Sequence, residues 1–138
     1  MRLSKIILIL LFLPNHVYAG TNYFNEGLTF YENKEFDKAK FKFEQDIVFN
    51  PKNEKSYLYL SKIFNEQEKK ELEEKNLNTV ILLNPKNEEA VLNLVLLKIR
   101  KSNYEETKKL IKDFKDICKK LCQQTSYLQN KLDEVLKK

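Results

Sequence analysis

Histidine is nearly absent from this chain. Its 138 residues include one, His16, with two glycines, two cysteines and three prolines. The two glycines, Gly20 and Gly27, are too few for a loop that cradles phosphate through closely spaced backbone N–H groups. Arginine is scarce as well: 23 of the 25 basic residues are lysine, and only Arg2 and Arg100 are arginine. No arginine-rich stripe is available for phosphate, and the lysines interleave with Glu and Asp as on a solvated surface, so nucleic acid is not an expected partner. A long apolar run is also missing. The longest, Ile6 to Leu13, reads IILILLFL and spans only about 12 Å as a helix, against a hydrocarbon core of about 30 Å.

That run has the setting of a secretory leader. MRLSK supplies a basic start, and PNHVYA breaks the helix and places Val17 and Ala19 for a signal peptidase. Residues 1–19 are expected to be a signal peptide cleaved after Ala19, with an uncleaved anchor as the alternative; no cysteine follows the run to carry a lipid. The mature chain would then be exported, to the periplasm or outside the cell, without stable membrane insertion. It would also lose His16, and with it Ser–His and Cys–His nucleophile pairs and any His-ligated metal. No catalytic residue, metal or cofactor is expected, and the acidic neighbours Glu73 and Glu74, like Glu88 and Glu89, read as charged helix surface.

What the chain does contain is a repeat. NPKNE occurs at Asn50–Glu54 and again at Asn84–Glu88, which sets Pro51 and Pro85 34 residues apart. A shift of 34 also aligns Tyr23 with Tyr57, Gly27 with Ser61, Phe30 with Phe64 and Phe43 with Leu77, and a third copy continues through Val91, Val95, Thr107, Ile111 and Phe114. Apolar spacing and breakers predict helices at about 21–33, 37–49, 54–66, 70–83, 88–101, 104–117 and 121–137. Asn65–Lys75, NEQEKKELEEK, shows no turn signal where the second pair should bend; it holds either a concealed turn or one longer helix.

In the first copy, Tyr23, Gly27, Phe30, Ala39, Phe43 and Pro51 stand at large, small, aromatic, small, aromatic and proline positions, and this spacing resembles the tetratricopeptide-repeat (TPR) family. The match weakens toward the third copy. Glu26 replaces a usual leucine, Asp46 and Glu73 take usually small apolar positions, and Lys119 stands where a proline would be. The resemblance implies an all-α solenoid of antiparallel helix pairs over residues 20–138, with repeats at about 20–53, 54–87 and 88–119 and a capping helix at 121–137. Gly27 and Ala39 would mark the close crossing of the first pair.

The same resemblance implies that the first helix of each pair lines a concave face that binds partner peptides or helices. Its inward positions would be Phe24, Leu28 and Tyr31, then Leu58, Lys62 and Asn65, then Leu92, Leu96 and Ile99. Such a groove is expected to be largely apolar. Its first and third rows lack the Lys, Arg and Asn clamp by which some family members grip the C-terminal carboxylate of chaperones. A partner's helix or apolar segment, the C-terminal helix folded back, or a second copy of the chain could each cover it. Cys118 and Cys122, four apart in an exported chain, are either a disulfide tying the capping helix to the third repeat or a pair of thiols. The expected function is a non-catalytic protein-interaction scaffold of the cell envelope. The alternative is a secreted effector or chaperone-like protein that binds a host protein or an exported client.

Overall fold

The computed structural model describes residues 22–137; the leader expected at 1–19 lies outside them. Seven helices and no strand are found among the described residues. They are α1 (Tyr23–Glu32), α2 (Phe36–Phe49), α3 (Glu54–Glu66), α4 (Lys70–Leu83), α5 (Glu88–Arg100), α6 (Tyr104–Ile117) and α7 (Gln124–Leu136). Each odd helix packs on the even helix that follows it, and each pair packs on the next, giving three helix pairs closed by α7. None of these helices is long and apolar enough to cross a membrane.

The bend within each pair is the same device three times. Lys34, Glu68 and Ser102, spaced by one repeat, have φ of 61°, 56° and 56°. Around each, one N–H bonds back five residues and its neighbour three: Glu35 to Phe30 and Lys34 to Tyr31, Lys69 to Phe64 and Glu68 to Asn65, Asn103 to Lys98 and Ser102 to Ile99. This double closure satisfies the last carbonyls of the first helix and requires one left-handed residue, for which glycine is the usual choice. The turn concealed in Asn65–Lys75 is therefore at Glu68, and α3 and α4 are separate helices.

Between pairs, the two NPKNE joints share a sequence but only the first is built on buried polar groups. Asp46, 1% exposed, accepts hydrogen bonds from Asn50 Nδ2 at 3.0 Å, from Asn53 Nδ2 at 2.7 Å and from the Ser56 hydroxyl. Asn53 also caps α3, its Oδ1 accepting the Lys55 N–H. One repeat later the positions of Asp46 and Ser56 are held by Val80 and Ala90, both fully buried. Asn84 and Asn87, deprived of the aspartate, donate instead to Glu54 Oε1. Glu88, one repeat beyond Glu54, accepts the backbone N–H groups of Lys120 and Leu121, which hold its carboxyl below the usual range. Glu88 is thus a cap on the next connection, where a plain solvated surface was expected.

Packing at the first crossing is tighter than a pairing of small residues. A Cβ added to Gly27 would lie 2.7 Å from Phe43 Cε1, so the phenylalanine ring rests directly on the glycine. The equivalent pairs, Ser61 with Leu77 and Val95 with Ile111, are also buried, and the first member grows as the second shrinks from phenylalanine.

The last helix begins at Gln124, not at 121, because Cys118–Gln123 form a non-helical corner. Within that corner Cys118 and Cys122 are joined as a disulfide with Cα atoms 5.1 Å apart. From Gln124 onward the helix keeps repeat register: Leu128 and Leu132 are buried like Leu94 and Lys98 one repeat earlier. At the crossing position, Gln129 is exposed where Val95 is fully buried. α7 is a fourth first helix with no second helix among the described residues, and a polar residue at its crossing position suits an open end.

Candidate partner-binding groove

One face of α1, α3 and α5 forms two adjoining depressions that share Lys62 and Glu89. The first is walled by Phe24, Leu28, Leu58 and Tyr59 and is also bordered by Glu54, Lys55 and Asn87. The second is lined by Tyr31, Asn65, Glu66, Asn93, Leu96 and Arg100, with Glu73 of α4 at its base. Seven of the nine residues expected to face the groove border these depressions: Phe24, Leu28, Tyr31, Leu58, Lys62, Asn65 and Leu96. Of the seven, Leu58 is 7% exposed and serves chiefly as core beneath the floor.

Leu92 and Ile99 do not line the depressions. They pack into the cluster that Leu128 and Leu132 of α7 complete beside α5 and α6, and Ile99 is 9% exposed. The C-terminal helix thus covers the third repeat and contributes no residue to either depression, which stay open.

Tyr59 is the centre of the aromatic wall. Its ring lies 6.0 Å from that of Phe24, 5.0 Å from Tyr31 and 5.2 Å from Phe43, the first two edge-on and the third stacked. Edge-on and offset contacts of this kind hold rings in fixed orientations, so the wall is preformed. Lys62 Nζ stands 4.6 Å above the Tyr59 ring and 2.6 Å from Glu89. Burial raises the Tyr31 hydroxyl pKa, with Lys62 opposing and Glu66 and Glu89 reinforcing the shift.

The groove is more polar than its predicted rows. Glu73, 3% exposed, occupies a helix-crossing position, and Arg100 Nη2 reaches both its oxygens at 2.7 and 2.8 Å. Burial raises the Glu73 pKa even so, the hydrogen bond and charge of Arg100 only partly offsetting it. Beside it Glu74 joins Lys98 and Lys101, each at 2.7 Å, tying α4 to α5. The expected apolar groove is corrected by residues outside the nine: Tyr59, Glu66, Glu89, Asn93 and Arg100 lie beside the predicted positions on the same helices, and Glu73 enters from below. A wider inward stripe on each first helix would have included all but Glu73.

Repeated antiparallel pairs with a 34-residue pitch, stacked so that odd helices line one face, decide the architecture. The fold is that of a tetratricopeptide-repeat domain. Solved structures agree: the chain is similar to the TPR domain of OM64 from Arabidopsis, with a TM-score of 0.73 and 18% identity over 81% of this chain and 92% of that one. It is also similar to the first TPR of Spaghetti (RPAP3) bound to the HSP90 peptide SRMEEVD, with a TM-score of 0.74 and 16% identity over 84% and 91% of the two chains. A third similarity is to the CopN–Scc3 complex, with a TM-score of 0.67 and 17% identity over 80% and 65%. No protein-family model and no curated protein matches the sequence. In this TPR stack the two cations of the second depression are already engaged, Lys62 by Glu89 and Arg100 by Glu73, while Lys55, which borders the first, makes no ion pair among the described residues. Among the described residues no group of three or more His, Cys, Asp or Glu is placed to hold a metal ion.

Proposed function

We propose that this protein is a non-catalytic interaction module that holds a segment of another protein in the open groove of α1, α3 and α5. The observation that carries the reading is the uncovered aromatic wall of Phe24, Tyr31 and Tyr59 beside Leu28, with α7 occupied on the third repeat. Rigid preformed apolar surface beside polar side chains suits peptide capture. The Spaghetti domain's bound HSP90 peptide and the CopN–Scc3 complex are consistent with that use of the fold. A chaperone-tail carboxylate is a poor ligand for the second depression, because Lys62 and Arg100 would have to leave Glu89 and Glu73 to meet it there.

The setting we propose is the cell envelope or periplasm, with a role in assembling or stabilising a complex; this rests on the leader read in Met1–Ala19. In the alternative setting the protein is secreted and acts on a host protein or an exported client. Affinity capture from the native envelope tests the function, using the protein beside its Leu28→Glu/Leu96→Glu and Asn93→Lys variants. Partner loss at unchanged helicity supports groove binding, and undiminished capture by Asn93→Lys and the double variant refutes it. A mature mass that retains Met1–Ala19 in the cytosol refutes the export assignment, and host-cell partners favour the alternative.

A further inference from the structure

We propose that the groove selects a segment bearing an apolar anchor for the wall at Phe24, Leu28 and Tyr59 and, next to it, a lysine or arginine directed at Glu66. The inference rests on the interaction reading above and specifies the partner's chemistry. Two features of the groove carry it.

The first is the distribution of charge. The second depression contains three carboxylates, Glu66, Glu73 and Glu89, and two cations, Lys62 and Arg100. Glu89 holds Lys62 and Glu73 holds Arg100, which leaves Glu66 exposed and with no ion pair among the described residues. This local excess of negative charge runs against a chain whose formal net charge is +5. Within this depression an anionic ligand would have to break one of the two internal pairs and strand a carboxylate; Lys55, the groove cation without an ion pair among the described residues, borders the other depression. A cationic ligand breaks nothing.

The second is the neighbourhood of the free carboxylate. Tyr31 shares the depression with Glu66, its ring edge-on to Tyr59, and the side chains of Asn65 and Asn93 add carbonyl acceptors. A guanidinium or ammonium group there meets a carboxylate, neutral acceptors and an aromatic ring together, which an exposed glutamate alone does not offer. The adjoining depression, with Phe24, Leu28 and Tyr59, is the place for a bulky apolar side chain on the same segment. The specificity is thus bipartite, with burial providing affinity and Glu66 providing choice of sign.

The probes are three short peptides with blocked ends and a shared leucine and phenylalanine anchor, differing only in lysine, glutamine or glutamate at the flanking positions. Calorimetric titration into the purified protein is expected to rank them lysine, glutamine, glutamate, with at least about a tenfold span in Kd. Glu66→Lys is expected to erase or invert that ranking, and Leu28→Glu to weaken all three. A glutamate peptide bound as tightly as the lysine peptide, a lysine preference surviving in Glu66→Lys, or no binding of any peptide overturns the inference. The groove reading stands or falls separately, on native capture by Asn93→Lys and the Leu28/Leu96 double variant.

Discussion

Asp46 and Ser56 form a buried polar pair that the next repeat replaces by Val80 and Ala90, so the chain contains its own control for a double substitution. Asp46→Val removes three hydrogen bonds to a buried acceptor and leaves the Ser56 hydroxyl proton without its acceptor, while the Ser56 oxygen still accepts from Asn53 Nδ2. Bonds to a charged group are worth about 1.5–3 kcal/mol each. Against this, the variant no longer keeps a carboxylate out of water, and the exposed Asn50 can turn to solvent; a net loss of about 3 kcal/mol is expected. Ser56→Ala alone leaves the carboxylate one donor short, at a loss of about 1–2 kcal/mol. Together the two recreate the valine–alanine pair of the following joint, and the loss should fall short of the sum by at least about 1 kcal/mol. Urea denaturation of the three variants and the parent closes the cycle. Additivity to within about 0.3 kcal/mol would show that the pair does not act as a unit, and that the joint is held by Pro51 and the Asn53 cap instead.

Three further outcomes follow from the same packing. Glu68→Gly should stabilise the protein by about 0.5–1 kcal/mol, since the left-handed turn position strains any residue with a Cβ; a lower Tm would refute that reading of the turn. Gly27→Ala should destabilise by about 1–3 kcal/mol in chemical denaturation, because its methyl group would displace the buried Phe43 ring, and an unchanged midpoint would show that the first pair can spread without loss. Burial raises the Glu73 pKa, so its favourable contribution is present below the ordinary glutamate value and is lost as pH rises through the folded value. Stability of the parent relative to Glu73→Gln should therefore decline as pH rises from the ordinary glutamate range through the higher folded value, and a constant or rising difference would contradict the sign.

Most of the architecture was legible because its signals recur: Pro51 and Pro85, the aromatics at Phe30 and Phe64, and the NPKNE joints all repeat at one pitch. The bends were not, since Lys34, Glu68 and Ser102 take a conformation usually marked by glycine. Asp46 and Glu73 stood out as departures from an apolar pattern, yet sequence could not show that each is buried against partners from neighbouring elements. The groove was half legible. Spacing along each first helix located its axis, but one narrow row per helix omitted Tyr59, Glu66, Glu89 and Asn93, which decide its polarity. Leu92 and Ile99 were assigned to the groove because nothing in the periodicity showed that α7 would draw them into the third-repeat cluster.

The most direct measurement of groove-mediated binding is site-specific photo-crosslinking in the native cell. A photoreactive residue is placed either at Asn93, in the groove, or at Leu82, which is 81% exposed outside both depressions. The expected result is a discrete partner adduct from position 93 that disappears in the Leu28→Glu background, and none from position 82. Equal adducts from both positions, or a partner captured from position 82 alone, would contradict the assignment of binding to the concave face.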